Sequence, residues 1–340
     1  MPIFANYKIF EEHHTFMVNL ETTFAGLRLK NPLIAGSSGL TNSIKKIKEL
    51  ENAGIGAIVL KSLFEEQIEN HSEKLVEIAD YPEAADYINT YIEMNHMEKY
   101  LDLIRSAKRE CDIPIIASIN CYKLSRWVEF AKTIQDAGAD AIELNLFVLN
   151  AGEFGDTYLE DTYVNIVREL KKIIRIPIVI KMAKNISNLP GLVGKLKALG
   201  AGGVVLFNRF YQLDIDIKNL EITSGPVFSN PSDFTDTLRW TAIVSGRVPD
   251  FDIACSYGVH SWEDAIKGIL GGAGAIQLCS LLYEQGSDVI EDTLMCMEEW
   301  MEQSNYARID DFKGKLNYAN IKSPALYERV QFMKYFSSYK

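Results

Sequence analysis

Eight short apolar runs punctuate the chain, at Leu33–Ala35, Ala57–Leu60, Ile115–Ile119, Ala141–Leu146, Ile176–Ile180, Gly203–Phe207, Asp252–Cys255 and Ala275–Leu278. Runs that stay apolar at consecutive positions, instead of alternating, suit strands covered on both faces. The segments between them have helical spacing or helical composition, so a strand–helix unit repeats along the chain. The returns from helix to strand carry Ala137-Gly138-Ala139-Asp140-Ala141, Leu199-Gly200-Ala201-Gly202-Gly203 and Gly271-Gly272-Ala273-Gly274-Ala275. Glycine there ends the helix, and small residues let the chain approach the sheet closely. Upstream, Leu20 to Leu29 alternates around a turn at Ala25-Gly26, which predicts a hairpin. Thr41 or Asn42 is placed to cap a helix running through Ala53, and a further helix is expected near Tyr100–Arg109.

The pattern predicts an α/β chain folded as a (β/α)8 TIM barrel, with an N-terminal β-hairpin and a long insertion after strand 6. An open doubly wound sheet is the alternative architecture. It would normally carry a G-x-G-x-x-G turn after its first strand, and Ala35-Gly36-Ser37-Ser38-Gly39 does not fit that spacing. The expected organisation is an extension over 1–19, the barrel over 20–316 and a tail over 317–340. Two long interruptions, 63–98 and 208–234, fall on the side of the barrel where strands end.

In such barrels the chemistry collects at strand ends, which here read Ser38/Gly39, Lys61-Ser62, Asn120, Asn145 with Asn150, Lys181, Asn208-Arg209, Ser256-Tyr257-Gly258 and Cys279-Ser280. Glu143 and Asn145 share one face of a strand with period two, so a carboxylate and an amide point into the same interior. Buried polar groups need partners: these residues either hold a ligand or tie the strand to the next helix. Lys61 and Lys181 each follow at least three apolar residues. Either they are solvated surface lysines, or they carry their charge into a pocket above the barrel. Two ammonium groups, several amides and small-residue loops after the seventh and eighth strands suit an electron-rich ligand with a phosphate. Flavin mononucleotide (FMN) meets that description, and a cation near the pyrimidine end of its ring would stabilise the anionic reduced form. A sugar phosphate would satisfy the loops but explains the amide cluster less well.

Composition narrows the classes further. With 340 residues, 47% hydrophobic and 24% charged, the chain has the make-up of a globular protein. A net charge of -11 without any clustered basic run argues against a nucleic-acid partner. The five cysteines lack C-x-x-C spacing, which points to reduced thiols in a cytoplasmic protein and away from a metal centre. No apolar stretch of about 18 residues occurs, so no membrane span is expected, and the N-terminus has no secretory pattern.

Several motifs stand in a telling order. They are Thr22-Thr23-Phe24-Ala25-Gly26-Leu27 with Asn31-Pro32, Ser38-Gly39, Lys61-Ser62, Glu143-Leu144-Asn145-Leu146 with Asn150, Lys181, and Ile309-Asp310-Asp311-Phe312-Lys313-Gly314-Lys315-Leu316. Singly weak, in this order they resemble the dihydroorotate dehydrogenases, most closely the soluble class 1 branch, from about Leu20 to Leu316. The resemblance implies an FMN oxidoreductase of CH–CH bonds, acting on a small anionic molecule and dimeric by analogy. By the same resemblance Ser38, Gly39, Lys61, Ser62, Asn120, Asn145 and Lys181 would contact FMN, with Gly258, Cys279 and Ser280 in the phosphate loops. Asn145, Asn150 and Asn208 would face the substrate, and Asn89 is an approximate counterpart of a further family asparagine.

The departures matter as much. The family reads L-N-x-S-C-P-N across the central stretch, with Cys or Ser as the base that takes a carbon-bound proton; Val148 occupies that position here. The Gly-Gly loop after the seventh strand is Ser256-Tyr257-Gly258, the Gly-rich loop near 225–231 is Gly225-Pro226-Val227-Phe228-Ser229-Asn230-Pro231, and a family serine beside the substrate is Arg209. Arg209 is then either a new carboxylate clamp or a surface ion-pair residue. Cys121, Tyr122 and Tyr211 are the replacement bases within reach of strand ends, although a cysteine so placed is more often a small buried hydrophobe. Two functions follow: an oxidoreductase on a small anionic substrate such as dihydroorotate, or a flavin-binding barrel without dihydroorotate turnover.

Overall fold

In the computed structural model of the chain the described residues are 17–65, 82–121, 124–146 and 158–329, with 82–95 described by backbone alone. The first hairpin, β1 (Thr22–Phe24) and β2 (Leu27–Leu29), turns through Ala25 and Gly26, both at positive φ. Then come β3 (Leu33–Ala35), β4 (Ala57–Val59), the two-residue β5 (Leu63–Phe64), β6 (Ile115–Asn120), β7 (Ala141–Asn145), β8 (Ile178–Met182) and β9 (Gly203–Leu206). The insertion forms the antiparallel pair β10 (Leu213–Asp216) and β11 (Glu221–Ser224), before β12 (Asp252–Cys255) and β13 (Ala275–Leu278) complete the set.

Parallel pairing runs β4-β3-β13-β12-β9-β8-β7-β6, and β4 also pairs with β6. That last pairing closes the ring. A doubly wound sheet would leave both edges open, so the eight expected strands form a (β/α)8 barrel with the hairpin and the insertion where the sequence puts them.

Among the described residues the helices are α1 (Ile44–Asn52), α2 (Pro82–Glu110), α3 (Leu124–Asp136), α4 (Tyr158–Lys171), α5 (Leu189–Ala198), α6 (Phe234–Arg247), α7 (Trp262–Gly271), α8 (Ser280–Gln285), α9 (Val289–Gln303) and α10 (Ala325–Glu328). Each long one turns an apolar stripe inward: α3 buries Trp127, Phe130, Ala131 and Ile134, spaced as one helical face. A second, smaller core fills the barrel floor, where Phe24 and Leu29 of the hairpin meet Ile34, Val59, Ile116, Val179 and Val205. Gly203 makes room for this plug, since a Cβ there would lie 3.3 Å from the Phe24 ring and 2.9 Å from Asp252 O. With its floor stoppered by apolar side chains, the barrel opens to a ligand at its opposite mouth.

Some expectations are corrected. The residue preceding α1 is Ser43, because Thr41 sits inside a 3-10 turn, Gly39–Thr41, and spends its hydroxyl on Ser38 O at 3.1 Å. The interruption drawn over 63–98 is shorter, since α2 begins at Pro82; its N-terminal half, which includes Asn89, carries Ala84, Ala85, Ile88, Tyr91 and Ile92 at helical spacing, as the Tyr100–Arg109 half does. Strand β8 starts two residues later than the apolar run and takes Lys181 into the ladder, opposite Asn145. The described part of the 317–340 segment lies on the outer helices: Tyr318 N donates to Ala242 O at 2.9 Å, and Arg239 donates to Tyr327 O and Arg329 O.

Candidate active site

A cavity of about 540 Å³ opens at the barrel mouth, between the ends of β3, β8, β9, β12 and β13 and the inserted segment. Its size falls within the range of roughly 300–1,000 Å³ common to cofactor and substrate sites. Lys181, Asn208, Arg209, Tyr211, Cys279 and Ser280, all singled out from sequence, line it together with Ser37, Ser256 and Tyr257.

The floor of the cavity is polar and tightly bonded. Lys181 is 8% exposed, and its Nζ donates to Gln277 Oε1 at 3.1 Å. Gln277 in turn donates from Nε2 to Glu143 Oε2 at 2.6 Å, and the Glu143 carboxylate lies 3.8 Å from Lys181 Nζ. Strand geometry produces this cluster, because β7 and β8 pair directly and alternate residues face the barrel axis. The two expected amides meet: Asn208 Nδ2 donates to Asn145 Oδ1. Asn145 Nδ2 reaches Ser62 Oγ at 3.5 Å, and Ser62 Oγ bridges Ser37 Oγ at 3.0 Å and Ser118 Oγ at 2.7 Å. Ser38 caps its 3-10 turn, and Gly39 packs against Tyr283, whose hydroxyl would lie 2.7 Å from an added Cβ.

Other predicted residues stand apart. Lys61 is exposed and Asn120 ends β6 outside the cavity lining. Gly258, with φ +84, packs where a Cβ would come within 2.2 Å of Phe234 N, so the loop after β12 admits only glycine there. Tyr122, Val148 and Asn150 lie outside the described residues, and of Asn89 only the backbone in α2 is described.

The opposite wall comes from the insertion. Arg209 donates to Val227 O at 2.8 Å, Pro226 O at 2.7 Å and Phe228 O at 2.9 Å, while its buried Nε has no hydrogen-bond partner. Tyr211 is 62% exposed and its hydroxyl lies 3.0 Å from Ser224 Oγ. Burial pushes the Cys121 thiol far above its ordinary range, with Glu65 adding to the effect. Burial also raises Cys279, against the pull of the Lys181 ammonium.

Compared with known sequences, residues 19–301 match the family model described as dihydroorotate dehydrogenase. The chain belongs to the dihydroorotate dehydrogenase family. Relatives named dihydroorotate dehydrogenase B (NAD(+)), catalytic subunit, include those of Thermoplasma acidophilum, Caldicellulosiruptor bescii and Pyrococcus horikoshii. The first is 28% identical, covering 88% of this chain and 99% of the relative; the second is 26% identical, covering 88% and 100%. The third is 25% identical, covering 87% and 97%. In this family setting the chain is an oxidoreductase of the barrel type, and among its described residues no helix is long and apolar enough to cross a membrane.

Sequence reasoning passed over three parts of the site. Gln277 interrupts an apolar strand just as Glu143 does, and the same period-two signal would have exposed it. Ser118 is hidden in the same way inside β6. Ser229, His260 and Glu284 form a third group, with Ser229 Oγ 2.9 Å from His260 Nε2 and His260 Nδ1 3.2 Å from Glu284 Oε2. These come from the insertion, the loop after β12 and α8, and no local pattern joins them.

Proposed function

We propose that this chain is an FMN-dependent oxidoreductase acting on a small anionic molecule at the barrel mouth, with dihydroorotate as the first candidate. The observation that carries the reading is the Lys181 ammonium, held nearly buried at the cavity floor beside the Asn145–Asn208 pair. A cation, amides and small-residue loops around about 540 Å³ suit a flavin and its phosphate. Ser38, Gly39, Ser62, Asn145 and Lys181 would hold the ring and chain of FMN, with Gly258, Cys279 and Ser280 at its phosphate, whereas the exposed Lys61 and Asn120, which ends β6 outside the cavity lining, are left out of this set. When bound, FMN supplies the two-electron acceptor for hydride leaving the substrate. Asn145, Asn150, Asn208 and Arg209 would orient the substrate, the amides through hydrogen bonds and Arg209 through its charge at the cavity wall.

A proton acceptor is harder to assign. Val148 has no titratable atom, the buried Cys121 thiol is shifted against forming a thiolate, and Tyr211 faces solvent beside Ser224. This favours the second reading, a flavin-binding barrel without efficient dihydroorotate turnover. Absorbance of the purified protein with FMN titration tests the first step, and anaerobic mixing with dihydroorotate tests the second. A colourless protein that takes up no FMN overturns both readings. Rapid bleaching by dihydroorotate overturns the second alone.

The surroundings of the barrel support three further parts of the proposal. Half of the large apolar side chains exposed among the described residues fall between Tyr211 and Phe228, on the β10–β11 hairpin and its flanks. Two copies of the chain joined through these hairpins would cover them, giving a homodimer. All five cysteines are unpaired, which suits a reducing cytoplasmic location. An acidic chain with a small cavity suits a small-molecule partner and not a nucleic acid.

A further inference from the structure

Glu143 is a charge buried inside the barrel. It is 0% exposed, projects into the barrel from β7, and receives one hydrogen bond, from Gln277 to Oε2; its other oxygen, Oε1, has no hydrogen-bond partner and faces Lys181 Nζ at 3.8 Å. Glu143 does not itself line the cavity, whereas Lys181 does. Removing a carboxylate from water for so few donors is costly, and buried ion pairs of this kind seldom add net stability over apolar replacements. The neighbouring barrel layer is filled by Val179, Val205 and Ala254, so an apolar side chain at 143 would match its surroundings. Glu143 therefore contributes something other than packing.

We propose that Glu143, relayed through Gln277, is a positioning residue that fixes Lys181 and offsets part of its charge, and so sets how strongly the site favours a reduced, electron-rich ligand ring over the oxidised one. The reasoning rests on the FMN reading above. Gln277 Oε1 fixes the ammonium while Gln277 Nε2 fixes the carboxylate, so one amide locks both charges in place. Ser256 Oγ, 3.4 Å from the same Oε1, ties the lock to the loop after β12. In this water-poor layer the carboxylate opposes the field that Lys181 projects into the cavity, and the balance of the two charges acts on any electrons placed there.

The test is the midpoint potential of FMN bound to the full chain, measured against reference dyes, together with the dissociation constant of oxidised FMN. Glu143→Gln keeps the shape and removes the opposing charge. The reduced-to-oxidised affinity ratio should rise about tenfold, which for a two-electron couple is a potential about 30 mV more positive. Lys181→Met should move it the other way, and Glu143→Leu, which also removes the carboxylate, should raise it as Glu143→Gln does. Should Glu143→Gln not fold, Glu143→Leu, which matches the apolar layer around it, carries the test. Stoichiometric FMN binding with an unchanged potential in the folded variant overturns the role of Glu143 and leaves the FMN reading standing. Failure of the unaltered protein to bind FMN overturns that reading and this inference with it.

Discussion

The two sides of the barrel mouth are built on different principles. On one side Ser37, Ser62, Asn145, Lys181 and Gln277 issue from strands or their immediate ends, and the ladder between β7 and β8 sets Asn145 opposite Lys181. On the other side the inserted segment carries Arg209, Tyr211 and the loop 226–229 outside the barrel ladder, braced by its own β10–β11 pair and by the bonds of Arg209 to three loop carbonyls. The strand-borne side keeps the residue types that the family resemblance associates with FMN. By the same resemblance the inserted side holds two of the departures, Arg209 and the loop that Arg209 grips, while Val148 and Ser256-Tyr257-Gly258 depart at strand ends. A barrel can exchange one wall of its mouth without disturbing the other, because the strands owe nothing to the loop for their register.

The largest effect expected from this division is catalytic. If the departures have removed proton transfer while the flavin wall is intact, flavin reduction by dihydroorotate should run at least about 10²-fold slower than in an active relative, the usual worth of a general base. Stopped-flow absorbance under anaerobic conditions measures it. A rate equal to the relative's would mean that Cys121, a tyrosine or a bound water serves as the base, and the contrast between the walls would then lie in sequence alone. Cys121→Ala should change the rate little, since its buried thiol is shifted away from the thiolate form.

The strand-borne wall was also the readable one. A polar residue inside an apolar run of period two has only one place to point, so Glu143, Asn145 and Lys181 could be placed before any coordinates. Gln277 obeys the same rule inside Ala275–Leu278, an otherwise apolar run. The inserted wall offered no such rule. Nothing in residues 208–229 indicates that Arg209 would reach three carbonyls about eighteen residues ahead, since loop contacts of that span depend on the path of the chain and not on periodicity. Boundaries have separate reasons: the start of α2 at Pro82 is legible in the spacing of Ala84, Ile88, Tyr91 and Ile92, whereas the Thr41 hydroxyl is drawn into a turn with Ser38 instead of capping α1, which no spacing shows.

Substitution of Lys181 sharpens the comparison next. Loss of a charge-assisted hydrogen bond is worth about 1.5–3 kcal/mol, so Lys181→Ala should weaken FMN binding roughly 10- to 100-fold in a fluorescence titration. Lys172→Ala is the control, because Lys172 is an exposed residue paired with Glu169 on the outside of α4. Equal losses from the two would remove Lys181 from the cofactor wall.

The inserted wall can be tested at its outer end with less effect on chemistry. Ile215 and Ile222 are register partners on the β10–β11 hairpin, 59% and 71% exposed. Replacing both by Lys should convert a dimer into monomer in sedimentation while FMN binding stays within about twofold, since affinity terms that touch neither ligand nor its supports add independently. A wild-type protein that sediments as a monomer would sink the dimer, and loss of FMN on the double substitution would show that the two walls are coupled after all.

The smallest effect belongs to Arg209 as a brace. Its bonds to Pro226, Val227 and Phe228 carbonyls hold the loop against the cavity, and the loop also rests on the Phe228–Tyr283 ring contact at 5.4 Å. Arg209→Ala removes three donors from carbonyls that water can still reach, so the loss should be about 1 kcal/mol of local stability instead of a global defect. Cleavage near residues 224–230 by a low concentration of protease should then rise about fivefold, because cleavage follows the population of the opened loop when opening is fast. The thermal midpoint of the barrel should barely move, since α6, α7 and the strand ladder do not depend on these bonds. If ligand added to the unaltered protein protects the same loop, Arg209 braces a wall that closes on its substrate. Cleavage that is insensitive to both the substitution and the ligand would instead make the segment ordinary surface, and the inserted wall would have no part in binding.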